Sequence, residues 1–215
     1  LTVDSDEKLN WYKIFIIKKL KRKGCQIIRG NASGPHSKYI HYLKNNWDGI
    51  TSFYMIDDDV IYDPSLINDL FYESQKYKFC ICARAYKLES SENKLKNYSS
   101  WKLLNREMFG YKVCPTNVGG SVIKKDFSIL LLEYFDKALK YAPTIDDIWF
   151  SLLAIEHQKP FKKIRNGENS PVVIPFSQFK PLSNVNSTNN DIFIESLYTT
   201  KILEKINSDN ADYEN

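Results

Sequence analysis

Short apolar runs alternate along this chain with longer segments whose apolar residues recur at helical spacing, and that alternation most limits what the chain can fold into. In residues 9–23, Leu9, Tyr12, Ile16 and Leu20 mark a helix with a basic end, which Gly24 stops. Residues 25–28 read as a strand, and Ser33-Gly34-Pro35 opens a second helix running toward Leu43. A strand at 53–56 ends abruptly in Asp57-Asp58-Asp59. Asp63-Pro64 then reads as N-cap and first position of a helix over 66–77, followed by a strand at 79–83. Strands alternating with helices in this way predict an α/β domain with a mostly parallel central sheet.

Residues 87–114 lose the alternation and read as a long excursion around Trp101. Regularity returns with a strand near 118–123, a helix over 127–139 capped by Asp126, and a helix from Pro143-Thr144 through Ile155. A strand at 171–176, a loop at 183–190, a terminal helix at 191–206 and a polar frayed tail at 207–215 complete the expectation.

With 215 residues, 43% of them hydrophobic and 26% charged, the chain has the makings of one folded domain spanning 1–215. A net charge of +4 is too small to imply nucleic acid, and no apolar run reaches the roughly 18 residues of a membrane span. Without a basic-then-apolar start, the expected location is cytoplasmic. The cysteines Cys25, Cys80, Cys82 and Cys114 form no CxxC pair, so reduced, buried thiols are expected rather than zinc.

The acidic triplet carries the strongest chemical signal. Three adjacent carboxylates at the end of a buried strand repel one another unless something positive compensates. Residues i and i+2 of a strand face one way, so Asp57 and Asp59 can converge on one Mg²⁺ or Mn²⁺ while Asp58 turns aside. Such an ion keeps coordination sites for phosphate oxygens, which suits a nucleoside diphosphate. The plain alternative is a strand terminated by Asx turns.

A second signal is Pro143-Thr144-Ile145-Asp146-Asp147-Ile148-Trp149. Thr144 and Asp147 have capping-box spacing, the better explanation on local grounds, yet a carboxylate at a helix start also serves as a general base. Gly119-Gly120 permits either a turn or a close backbone approach to a ligand. Lys38, near a glycine-containing helix entry, is placed to meet an anion.

The ordered set Gly34-Pro35 with Lys38, Met55-Ile56-Asp57-Asp58-Asp59-Val60-Ile61-Tyr62, Val118-Gly119-Gly120 and Pro143 to Trp149 resembles GT-A glycosyltransferases. The likeness is to family 2-type bacterial enzymes of surface polysaccharide synthesis, and it runs over about residues 25–191. It implies a Rossmann-like GT-A domain and a nucleotide-sugar donor, a UDP-sugar, whose diphosphate is held through Mn²⁺ or Mg²⁺ at Asp57 and Asp59. It further implies Asp147 as the base with Asp146 in support, and inversion at the anomeric carbon of the transferred sugar. Gly119 and Gly120 would border the donor sugar or acceptor, Trp149 would stack on a sugar, and Lys38 or Arg84 would contact the nucleotide or diphosphate. The acceptor implied is a saccharide or lipid-linked hydroxyl compound. Family members usually begin with another strand and helix, whereas here Leu1-Thr2-Val3 passes almost at once into the basic helix, so the expectation is either that the usual first βα unit is lacking or that the sequence is a fragment.

Two other readings compete. A HAD-like phosphatase would use Asp57 as nucleophile, although its motif normally lies on a first strand. A non-catalytic nucleotide-sugar-binding module would use the same acids without turnover. The basic helix also raises peripheral contact with the inner face of a membrane, against the plainer reading of a solvated outer helix.

Overall fold

A five-stranded mixed sheet organises the computed structural model, which describes residues 1–5, 9–91, 94–174 and 183–209. The chain opens with β1 (Thr2–Asp4), α1 (Trp11–Arg22) and β2 (Ile28–Gly30). β1 and β2 pair in parallel outside the main sheet, so one βα unit does precede β2 where the sequence reading expected none. Asn10 caps α1 by accepting the Lys13 N–H, and no residue of that helix is buried.

The 3₁₀ turn Gly34–His36 leads into α2 (Ser37–Asn45), then β3 (Phe53–Met55), β4 (Val60–Ile61), α3 (Leu66–Lys76) and β5 (Ile81–Cys82). Ser65 is the N-cap of α3 and makes no side-chain cap bond, while the Asp63 carboxylate accepts from the Ser65 N–H and hydroxyl at the helix entry. Residues 87–114 are less irregular than their composition suggests. They form β6 (Ala85–Lys87), β7 (Ser90–Ser91), β8 (Lys94–Leu95), β9 (Lys102–Leu103), β10 (Met108–Gly110) and β11 (Val113–Pro115).

Next come β12 (Ser121–Ile123), α4 (Lys125–Glu133), α5 (Phe135–Tyr141), α6 (Asp146–Glu156), β13 (Phe161–Lys163) and β14 (Val172–Val173). Asp126 lies inside α4 and pairs with Lys159 at 2.7 Å, leaving Lys124 as N-cap. The chain ends in α7 (Ser183–Leu197) and α8 (Thr200–Ser208). The expected loop at 183–190 is therefore helix. Of the expected strand at 171–176, residues 175 and 176 lie outside the described residues, as do 210–215 of the expected frayed tail. Within that tail, Asp209 is 9% exposed and its carboxylate accepts the N–H groups of Tyr111 and Lys112.

The main sheet runs β10-β13-β5-β12-β3. Only β13 and β5 pair in parallel; β12 lies antiparallel between β5 and β3, and β10 is antiparallel to β13. The mostly parallel sheet expected from the alternation is thus corrected to a mixed one. The physical reason is that β12 returns through a tight 3₁₀ turn, Asn117–Gly119, rather than a crossover helix, so it enters the sheet head-down. β3, β5 and β13 consequently point the same way, and their carboxyl ends share an edge with the start of β12.

The core is α6 pressed against this framework. Ile148, Trp149, Phe150, Leu152, Leu153, Ala154 and Ile155 are all buried, the pattern of a helix enclosed on every side. Phe150 meets the rings of Tyr39 on α2 and Phe127 on α4 at 5.3 and 5.6 Å. No helix among the described residues is long and apolar enough to cross a membrane. Because Phe150 is fully buried and joins three helices, Phe150→Ala is expected to lower stability by about 3–5 kcal/mol, read as an earlier urea midpoint.

Candidate functional site

Four of the predicted residues meet at one edge of the sheet. Asp57 stands just past β3, while Asp146 and Asp147 begin α6 and Lys38 lies in the first turn of α2. The Lys38 ammonium sits 2.8 Å from Asp57 Oδ1 and 3.9 Å from Asp146 Oδ2. It bridges two acids that are distant in sequence. This redirects Lys38 from the phosphate contact expected of it to the carboxylates themselves.

The geometry rests on a splint between α2 and the start of α6. His36 is fully buried, with Nε2 2.8 Å from the Ala142 carbonyl and Nδ1 2.7 Å from the Tyr39 hydroxyl. A carbonyl only accepts, so Nε2 carries the proton and Nδ1 accepts from Tyr39. Burial pushes the His36 pKa down, which keeps the ring neutral. Gly34 reinforces the contact: its φ is +57°, and a Cβ there would lie 2.7 Å from the Pro143 carbonyl oxygen.

Asn117, which the sequence reading passed over, holds both acids of α6. Its backbone N–H donates to Asp147 Oδ1 at 2.9 Å, and its side-chain amide donates to Asp146 Oδ2 at 2.9 Å. Only its position just before Val118-Gly119-Gly120 hinted at this. The capping-box explanation weakens accordingly, since Ile145 is the N-cap of α6 and makes no side-chain cap bond. Tyr62 couples the other parts: the Asp57 N–H donates to its hydroxyl at 2.7 Å, and that hydroxyl donates to the Val118 carbonyl at 2.9 Å.

The remaining predicted residues take distinct places. Asp58 is exposed while Asp57 and Asp59 are half-buried, the alternation expected of i and i+2 positions. Gly119 and Gly120 are buried. A Cβ at Gly119 would fall 2.2 Å from that of Arg84, and Gly120 has φ +90° with Leu66 beside it. These glycines admit neighbouring side chains of the protein. Arg84 donates to the Thr116 hydroxyl at 2.8 Å and lies 5.4 Å from the Tyr86 ring centre. Trp149 is 2% exposed and packs in the core, so its ring has no face open for a sugar. Two open grooves of about 560 and 580 Å³ lie elsewhere, along 21–28 and between β6 and α8.

Electrostatically the site has too much negative charge. Burial opposes the Lys38 charge, but Asp146, Asp57 and Asp147 outweigh it and hold the ammonium above its ordinary value. Burial raises Asp57, against the pull of Lys38. Burial, with Asp146 adding repulsion, lifts Asp147 well above the usual carboxylate range, although the Asn117 N–H and Lys38 act the other way. Three acids crowd one lysine, and carboxylate oxygens are the hard ligands that Mg²⁺ and Mn²⁺ take. Among the described residues, however, no group of three or more His, Cys, Asp or Glu side chains is arranged to hold a metal. Asp57 and Asp59 alone would have to supply the protein ligands.

No family model matches the chain, and a search of the curated proteins finds no match either.

The Asp147 shift has a thermodynamic consequence. A carboxyl whose folded pKa is raised contributes stability below its unfolded value, and that contribution is lost as pH climbs through the folded value. Asp147→Asn keeps an oxygen for the Asn117 N–H but cannot ionise. Relative to the unaltered protein, its Tm is therefore expected to rise as pH increases from 5 to 9; a constant difference would mean that Asp147 ionises freely.

Proposed function

We propose that this protein is a GT-A-type glycosyltransferase, related in mechanism to the family 2-like enzymes of surface polysaccharide synthesis. It transfers a sugar from a nucleotide donor, a UDP-sugar, to a hydroxyl of a saccharide or lipid-linked acceptor. The observation that carries this reading is the meeting of the Asp57 segment with Asp146 and Asp147 around Lys38. An Asx-turn strand end and an ordinary capped helix would have no reason to converge.

In this reading Asp147 takes the proton of the acceptor hydroxyl. A carboxylate with an elevated pKa is a stronger base near neutral pH than an exposed one. The acceptor oxygen forms its bond to the anomeric carbon as the bond from that carbon to the phosphate oxygen breaks, and the bonding pair leaves with the diphosphate. Attack in line with departure inverts the anomeric centre. Lys38 and Asn117 hold Asp146 in place beside the base. A divalent ion held by Asp57 and Asp59 would neutralise charge on the departing diphosphate.

Thermal shift with UDP and UDP-sugars, with and without Mn²⁺, tests the assignment, because a ligand bound by the native state raises its apparent stability. A UDP response that requires Mn²⁺ and disappears in Asp59→Ala is expected. Asp147→Asn is expected to retain the binding response while losing transfer by at least about a hundredfold, the usual contribution of a general base. Unchanged transfer in that variant would remove Asp147 from the chemistry. A trapped phosphoryl group on Asp57, with no UDP response, would replace a transferase with a phosphatase.

A further inference from the structure

Near Asp147, two tyrosines and an arginine with no carboxylate partner among the described residues stand together: Tyr86 pairs with Cys114 across β6 and β11, the Cys114 thiol lies against the Asp147 carbonyl, and the Thr116 N–H donates to the Arg84 carbonyl. Arg84 and Tyr86 are two residues apart and share one face of the β6 ribbon, the guanidinium carbon 5.4 Å from the ring centre. The Tyr86 ring meets Tyr98, from the 3₁₀ turn Tyr98–Ser100, in an edge-on contact at 5.6 Å. All three side chains are half-buried.

Arg84 is positioned but not neutralised. One terminal nitrogen donates to the Thr116 hydroxyl at 2.8 Å, and Nε reaches the Ser170 hydroxyl at 3.4 Å. A guanidinium has five N–H donors, so three remain, and no carboxylate pairs with it among the described residues. Hydroxyl groups fix the fork's direction and leave its charge uncompensated. A fork of this kind is shaped for the two oxygens of a carboxylate or phosphate. Its loop partner is anchored too: the fully buried Lys163 donates to the carbonyls of Arg165 and Gly167, and Asn169 donates to the Ala83 carbonyl.

Neighbourhood relations then order the groups. Lys38 pairs with Asp57 and lies 3.9 Å from Asp146, whereas the Arg84 guanidinium reaches Thr116 and Ser170. Tyr98 packs against Tyr86, and burial followed by Asp147 raises the pKa of its phenol. Its hydroxyl has no hydrogen-bond partner among the described residues. Asp147 thus has the Lys38-bridged Asp146 beside it on α6 and meets, through Cys114, the strand that pairs with the one carrying Tyr86. A base must touch the acceptor hydroxyl while the donor lies across from it.

Resting on the transferase reading, we infer that Tyr86, Tyr98 and Arg84 form the acceptor subsite, and that the acceptor is a saccharide bearing a carboxylate or phosphate. The sugar ring lies against the tyrosines, its anionic group is held by Arg84, and the hydroxyl to be glycosylated faces Asp147. The arrangement moves sugar stacking from the buried Trp149 to the tyrosine pair, and moves Arg84 from donor to acceptor.

Saturation-transfer NMR on the whole chain, with methyl glucuronide, glucose 6-phosphate and neutral methyl glucoside as probes, tests this. At least one acidic probe is expected to bind about tenfold more tightly than the neutral one, the difference made by a charge-assisted hydrogen-bonded pair. Which acidic probe wins distinguishes carboxylate from phosphate. Arg84→Gln is expected to abolish that preference, Tyr98→Ala to weaken all three probes, and Tyr98→Phe, which keeps the ring, to change stacking by less than about threefold. UDP binding with Mn²⁺ is expected to be unaffected in each. Equal binding of acidic and neutral probes, no binding of any, or an Arg84→Gln variant that loses UDP instead would each overturn the proposal. Loss of UDP binding in the unaltered protein, with the acidic preference intact, would instead remove the transferase reading and leave an anionic-sugar site.

Discussion

The site depends on one ammonium group between two carboxylates that the chain brings from separate elements. Lys38 has to approach Asp57 and Asp146 together, which fixes the distance between α2, the end of β3 and the start of α6. An exposed ion pair of this geometry would contribute little. Here the lysine and Asp57 are largely withdrawn from water, so removing one partner would leave an uncompensated charge in a poorly solvated place. The surrounding architecture reads as the means of enforcing this approach. His36 clasps the Ala142 carbonyl, and Gly34 lies against Pro143 where a side chain would not fit. Asn117 fixes the acids from the opposite side.

Sheet direction explains why these groups can meet. β3, β5 and β13 deliver their carboxyl ends to one edge, and the antiparallel β12 begins there. The acidic triplet follows β3, Arg84 follows β5 and the Lys163-anchored loop follows β13, while Gly119 and Gly120 precede β12. Tyr62 ties two of these segments through a single hydroxyl that accepts from Asp57 and donates to Val118. The mixed sheet is thus no obstacle to a shared site. Reversing β12 is what brings the diglycine turn to the same edge as the acids.

Much of this was legible in the sequence, and the reasons for the gaps are physical. The triplet after an apolar strand, the acid pair at a helix start and the glycine pair each signalled a special position through local composition. Asn117 gave no such signal because its role comes from two donors facing a helix many residues away. Strand direction was equally hidden: periodicity marks an apolar run without saying which way it enters a sheet, and β12 turned the expected parallel order into a mixed one. Trp149 was misleading because an aromatic residue beside acids reads as a ligand platform, whereas α6 is enclosed on every side and takes its tryptophan into the core. The loop predicted from the Ser and Asn content of 183–190 was overruled in a similar way by α7.

Asp146 and Asp147 are neighbours at the start of α6 with different partners. Asp146 has the Asn117 amide at 2.9 Å and the Lys38 ammonium within 3.9 Å. Asp147 has the Asn117 backbone N–H on one oxygen, and burial together with the repulsion of Asp146 raises its pKa. One helical turn therefore presents a carboxylate held from two sides next to a carboxyl whose pKa burial raises. That division requires Asn117 to contribute its main chain to one acid and its side chain to the other, which only a buried residue locked at both ends can do. The 3₁₀ turn Asn117–Gly119 supplies the lock, with the Gly119 N–H donating to the Thr116 carbonyl and the Gly120 N–H to that of Asn117. The glycines thereby shape the acids without touching them, by allowing the turn that carries Asn117 to close against Arg84.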